Sequence, residues 1–145
     1  MEEKVATRQL VLETIESIGS EPGFTEDGRI RFDYQGTAFL MEASDGCLGV
    51  NLIWPWCYRC SKFDIDEFAR VRQVVNEINL WGTVTVCYGI TDSDEVAVHI
   101  KKHFLFQKEI PHLDYYLKAV IDSFFQTARE LDVEIEKCRL AETGR

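Results

Sequence analysis

Among the residues that could do chemistry, two thiols at redox spacing stand out first. Trp56-Cys57-Tyr58-Arg59-Cys60 is a W-C-x-x-C string that follows the apolar run from Leu48 to Ile53. Thiol–disulfide exchange needs two sulfurs close enough to bridge. The attacking one must be a thiolate, held by the positive end of a helix that begins at the motif. Here the next helix signal is Asp64, seven residues beyond Cys57, which is too far for that field to act. Cys57 is therefore expected to titrate as an ordinary cysteine, with reactivity rising near pH 8–9, about the free-thiol value.

A metal centre has little to build on. Cys47, His99 and His103 are the candidate additions to the Cys57–Cys60 pair, and none lies in a setting typical of closed zinc sites. His99 and His103 share one strand face and read as solvent-side residues. Carboxylates are abundant at Asp64, Asp66 and Glu67, at Asp92, Asp94 and Glu95, and at Glu130, Asp132, Glu134 and Glu136. Asp92-x-Asp94 has the opening of a calcium loop but lacks its glycine and its twelfth-position glutamate. These acids read as turn and helix-surface solvation. No G-x-S-x-G, Walker or G-x-G-x-x-G string is present, so no catalytic residue, metal or cofactor is assigned.

The aromatics are more suggestive. Trp54, Trp56, Tyr58 and Phe63 fall beside Pro55 in a stretch that reads as a loop, and aromatics gathered outside regular elements mark a candidate protein-binding surface. The formal charge is −9, from 25 acids and 16 bases, which repels nucleic-acid phosphates and anionic lipid. Lys101-Lys102-His103 is the largest basic cluster and does not offset that field. No apolar run is long enough to span a bilayer. The opening Met1-Glu2-Glu3-Lys4 leads into an amphipathic segment rather than a cleavable signal. With five cysteines, an odd number, the expectation is a cytoplasmic chain with reduced thiols.

Periodicity outlines the helices and strands around these residues. Residues 3–19 read as a helix with Val11, Ile15 and Ile18 on one face, stopped by Gly19. Ile30, Phe32 and Tyr34 alternate with polar residues, Gln35-Gly36 turns the chain into 37–43, and Ser44-Asp45-Gly46 turns it into 47–53. Connections this short predict antiparallel pairing. A second helix over 64–80 opens on Asp64 and Glu67, which resemble a capping box. Strands over 84–90 and from Val96 to Phe106 flank the turn Asp92-Ser93-Asp94. Pro111 opens a final helix whose stripe includes Leu117, Phe124, Leu131 and Ile135. Phe124 and Leu131 are expected in the core. The order is α-β-β-β-α-β-β-α over residues 1–145 as one domain, an α+β fold with an antiparallel sheet and helices mainly on one face.

That order, the opening hairpin Gly28-Arg29-Ile30-Arg31-Phe32-Asp33-Tyr34-Gln35-Gly36 and the helix end Val75-Asn76-Glu77-Ile78-Asn79 resemble the type III secretion chaperone-like fold. Within it the chain is most similar to the YbjN-type regulators. The resemblance implies a small, acidic, dimeric protein-binding module without enzymatic activity, with a protein or peptide partner. It also implies a homodimer seam on the middle helix, where Val71, Val74, Ile78 and Trp81 form a second apolar row. The aromatic segment around Trp54–Cys60 is not part of that pattern. The competing reading, a thioredoxin-like oxidoreductase using Cys57 and Cys60, is set back by Pro111, which comes late and opens a helix instead of preceding a strand.

Overall fold

The computed structural model describes residues 5–143; the helix start expected at residue 3 and the tail at 144–145 lie outside them. The order is α1 (Thr7–Ser17), β1 (Gly23–Phe24), β2 (Ile30–Tyr34), β3 (Thr37–Glu42), β4 (Gly49–Ser61), α2 (Ile65–Trp81), β5 (Thr85–Ile90), β6 (Glu95–Leu105) and α3 (Leu113–Thr143). The strands form one antiparallel six-stranded sheet in the order β1-β2-β3-β4-β6-β5, giving the α+β architecture expected. Two features differ from the sequence reading. A two-residue strand, β1, pairs with β2 through Gly23–Arg31 and Phe24–Ile30. In addition, the stretch read as an aromatic loop is the second half of β4, which runs unbroken for 13 residues.

The packing divides into two compact units. The first combines the chain up to Trp54 with Lys102–Ile121, and the second combines Pro55–Lys101 with the residues from Asp122 on. In the first unit, β2 and β3 form a tight hairpin in register from Ile30–Met41 to Tyr34–Thr37. Its inward residues Ile30, Phe32, Phe39 and Met41 are fully or almost fully buried, and the Phe32 and Phe39 rings stack at 5.5 Å. Val11 and Ile15 of α1 are fully buried too. α1 ends as its glycine suggested: Gly19 adopts φ +90°, and the Ser20 N–H reaches back to the Ile15 carbonyl at 3.2 Å.

In the second unit α2 begins at Asp64, whose Oδ1 accepts the Glu67 N–H at 3.2 Å. Only half of the expected capping box forms, because the Glu67 carboxylate is used elsewhere. Val71, Val74 and Ile78 are buried at 0%, 0% and 7% exposure, and Phe124 and Leu131 on α3 are buried as expected. β5 and β6 pair from Thr85–Lys101 to Ile90–Val96.

Candidate protein-binding surface

β4 enters the second unit through an irregularity. Pro55 has no N–H to give a ladder. Sheets confine such a residue to edges and bulges, and with a left-handed residue beside it the backbone here has the character of a bulge. Trp56 follows with φ +59°, a left-handed conformation costing a bulky residue about 1–2 kcal/mol. Its N–H donates to Nδ1 of His99 on β6 at 3.0 Å, and the two rings meet edge to face at 6.2 Å. The Arg59 guanidinium lies 5.0 Å from the Trp56 ring centre. His99, read from sequence as solvent-side, is half-buried, and burial lowers its pKa from the ordinary histidine value.

The W-C-x-x-C pair lies within this strand and not at a helix N-terminus. Positions three apart on a regular strand face opposite sides. Burial, with Asp132 and Cys87 adding to it, pushes the Cys57 thiol up to about 12, well above the ordinary value expected. Burial, with Glu67 and Asp64 adding, raises Cys60 as well. Both shifts run opposite to what a nucleophilic thiolate needs.

Tyr58 and Glu67 are the centre of a polar cluster that sequence spacing did not reveal. The Tyr58 hydroxyl donates to Glu67 Oε2 at 2.8 Å, Arg139 bonds both groups, and Arg70 bonds Glu67 Oε1 at 3.1 Å and Glu142 at 2.6 Å. Burial pushes the Glu67 carboxyl up, but hydrogen bonds from Arg139, Tyr58 and Arg70 outweigh it and hold the group below its ordinary value. Tyr58 is raised to about 12, by burial and then by its carboxylate neighbour. Every member is paired, so the cluster ties β4, α2 and the end of α3 within the second unit and leaves no free acid or base. Among the described residues no three His, Cys, Asp or Glu side chains are placed to hold a metal.

The candidate contact residues are distributed unevenly. Trp54 belongs to the first unit, half-buried beside Phe39 at 5.8 Å. Trp56 is 40% exposed, Tyr58 is committed to Glu67, and Phe63 stands 70% exposed just before α2. The middle-helix row fails as a seam: Val71, Val74 and Ile78 are consumed by the core of their own chain, which leaves Trp81, 88% exposed, alone.

A further exposed surface is the outer edge of β5. In an antiparallel ladder successive residues point their N–H and C=O alternately toward and away from the partner strand. Thr91 donates to Glu95, so the odd positions face β6 and Val86, Tyr88 and Ile90 face outward. Asn79 of α2 plugs the first: its Nδ2 donates to the Val86 carbonyl and its Oδ1 accepts the Val86 N–H, both at 2.8 Å. Tyr88 and Ile90 have no such plug among the described residues, and their side chains are 39% and 53% exposed. The strand Thr-Val-Cys-Tyr-Gly-Ile carries no charge. The signal in the sequence was Asn79, an amide in the last turn of α2, but a side chain mimicking a strand leaves no periodic trace.

No family model matches the chain, and no curated protein is similar to it in sequence. A solved structure does match in shape, that of an uncharacterized protein from Methanothermobacter thermautotrophicus. It has a TM-score of 0.60 and 10% identity over 90% of this chain and 97% of that one. At that identity the likeness speaks to the fold alone.

Proposed function

We propose that the chain is a non-catalytic protein-binding module, chaperone-like or regulatory in role, that pairs by its β5 edge with a second copy to form a homodimer. One observation carries this reading: an uncharged edge strand offers the backbone groups of Tyr88 and Ile90 to a partner, flanked by their exposed side chains. An edge without charge, proline or cover is a ready template for strand addition. Antiparallel pairing about Gly89 sets Tyr88 of one copy opposite Ile90 of the other and stops at Val86, where Asn79 occupies the edge. A two-fold seam of this kind is self-complementary. The seam is neutral although each chain carries −9, so added salt should tighten the dimer by screening the rest of the molecule. The resemblance to the YbjN-type regulators also implies a dimer, though through a different seam. A cytoplasmic setting belongs to the proposal, since it keeps an odd set of five thiols reduced.

Light scattering over a concentration series to about 100 μM tests it, a range in which a dimer of micromolar Kd is mostly formed. The native chain should approach twice its 16.8 kDa mass, and Tyr88→Pro should remain at one. Proline at position 88 removes an outward N–H without touching the β5–β6 ladder. A single-chain mass throughout, or a Tyr88→Pro chain that dimerises as the native one does, overturns the reading.

A further inference from the structure

The bulge in β4 is held by a single acceptor. Pro55 cannot donate, Trp56 turns into the left-handed region, and the Trp56 N–H that would otherwise join a strand ladder is met by His99 Nδ1 at 3.0 Å. A ring nitrogen that accepts a hydrogen bond carries no proton, so the neutral imidazole keeps its proton on Nε2. The same ring closes on the indole of Trp56 edge to face. One side chain thereby seats both the backbone and the ring of Trp56.

We propose that His99 is a proton-operated latch on Trp56: neutral, it holds the bulge and its indole in place, and protonated, it releases both. The chemistry is one proton from solvent added to Nδ1. That nitrogen then becomes a donor facing another donor, so the bond to Trp56 N–H breaks and nothing else is consumed or made. The neighbouring groups are cationic or neutral. On β4, Arg59 stands over the Trp56 ring. On β5, Cys87 is opposite His99 in register, and on β6 Lys101 follows two residues along the same face. Burial disfavours the imidazolium, and no carboxylate contributes to the shift. Because the folded pKa is depressed, the latch is fully engaged above the ordinary histidine value of about 6.5 and opens as pH falls through the lower folded value.

Fluorescence reads the latch directly. Trp54→Phe with Trp81→Phe leaves Trp56 as the only indole of the three. Its emission should shift to the red between about pH 7 and pH 4.5, with a midpoint below the ordinary histidine value of about 6.5. His99→Gln, which does not titrate, should abolish the transition. Nitrogen-15 NMR of the native chain provides a reading that needs no substitution. The His99 ring should show the Nε2–H tautomer at neutral pH, and its titration should coincide with a shift of the Trp56 amide. A proton found on Nδ1, an amide that does not follow the ring, or an emission change that survives His99→Gln overturns the proposal.

Discussion

The two ends of the sheet solve the edge problem differently. β1 is only two residues long, Gly23–Phe24, follows Pro22, and is succeeded by the tight turn Thr25–Gly28 with its acids Glu26 and Asp27. A strand that short, preceded by proline and followed by charge, offers a second chain almost nothing to pair with. β5 has six uncharged residues and is protected at one position alone, where the Asn79 amide stands in for a neighbouring strand at Val86. Blunting by length and charge closes an edge for good, whereas a side-chain plug closes one pair of backbone groups and leaves the next ones presented. β5 is thus a terminated edge with a defined open stretch.

The comparison holds only if both edges belong to equally tight cores, and that carries the largest expected effect. Phe39→Ala in the first unit and Phe124→Ala in the second each remove a fully buried ring. Each should cost about 3–5 kcal/mol in urea unfolding. A loss below about 1 kcal/mol for Phe124→Ala alone would mean that β5 is open because its unit is loose.

Next in size is the polar cluster. Glu67→Gln should cost about 1–3 kcal/mol at neutral pH, a range set low because Arg139 is partly solvated. The folded Glu67 pKa is depressed, so its contribution is present above the ordinary carboxylate range and lost as pH falls through the lower folded value. Unfolding measured down through that range should show the native advantage over Glu67→Gln vanish with acid; an advantage independent of pH would assign it to packing.

Asn79→Ala sharpens the contrast most directly. Removing the plug should cost about 1 kcal/mol or somewhat more, by leaving the Val86 pair to water. It should also tighten self-association, since the open stretch grows by one hydrogen-bonding position. Sedimentation showing the same dimer constant for native chain and variant would leave Asn79 a capping residue with no influence on the edge.

The smallest effect concerns the thiols. Alkylation followed by mass spectrometry from pH 7 to pH 10 should label the exposed Cys47 well before Cys57, whose thiol is pushed to about 12. Rapid labelling of Cys57 below pH 8 would reopen the redox reading.

Much of this architecture was legible in residue order. Alternation marked β2, β5 and β6, turns on either side marked β3, Gly19 and Asp64 marked the ends of helices, and the α3 stripe placed Phe124 and Leu131 in the core. These are local or one-dimensional signals, set by backbone sterics and by the periods of helix and strand. Other features were invisible because they depend on which distant groups meet. Pro55 and two tryptophans read as a loop, since local propensity does not register that His99, 43 residues away from Trp56, accepts the N–H that makes a bulge tolerable. The second apolar row of α2 read as a free seam, since periodicity reports the width of an apolar face and not how much of it one chain consumes. Glu67 read as surface charge until Tyr58, Arg70 and Arg139 closed on it. Residue order alone set the three helices and the strands β2, β3, β5 and β6, but neither β1 nor the second half of β4. Which polar groups are paired and which edge stays open depends on the folded chain, because pairing is a property of three-dimensional proximity that no linear period encodes.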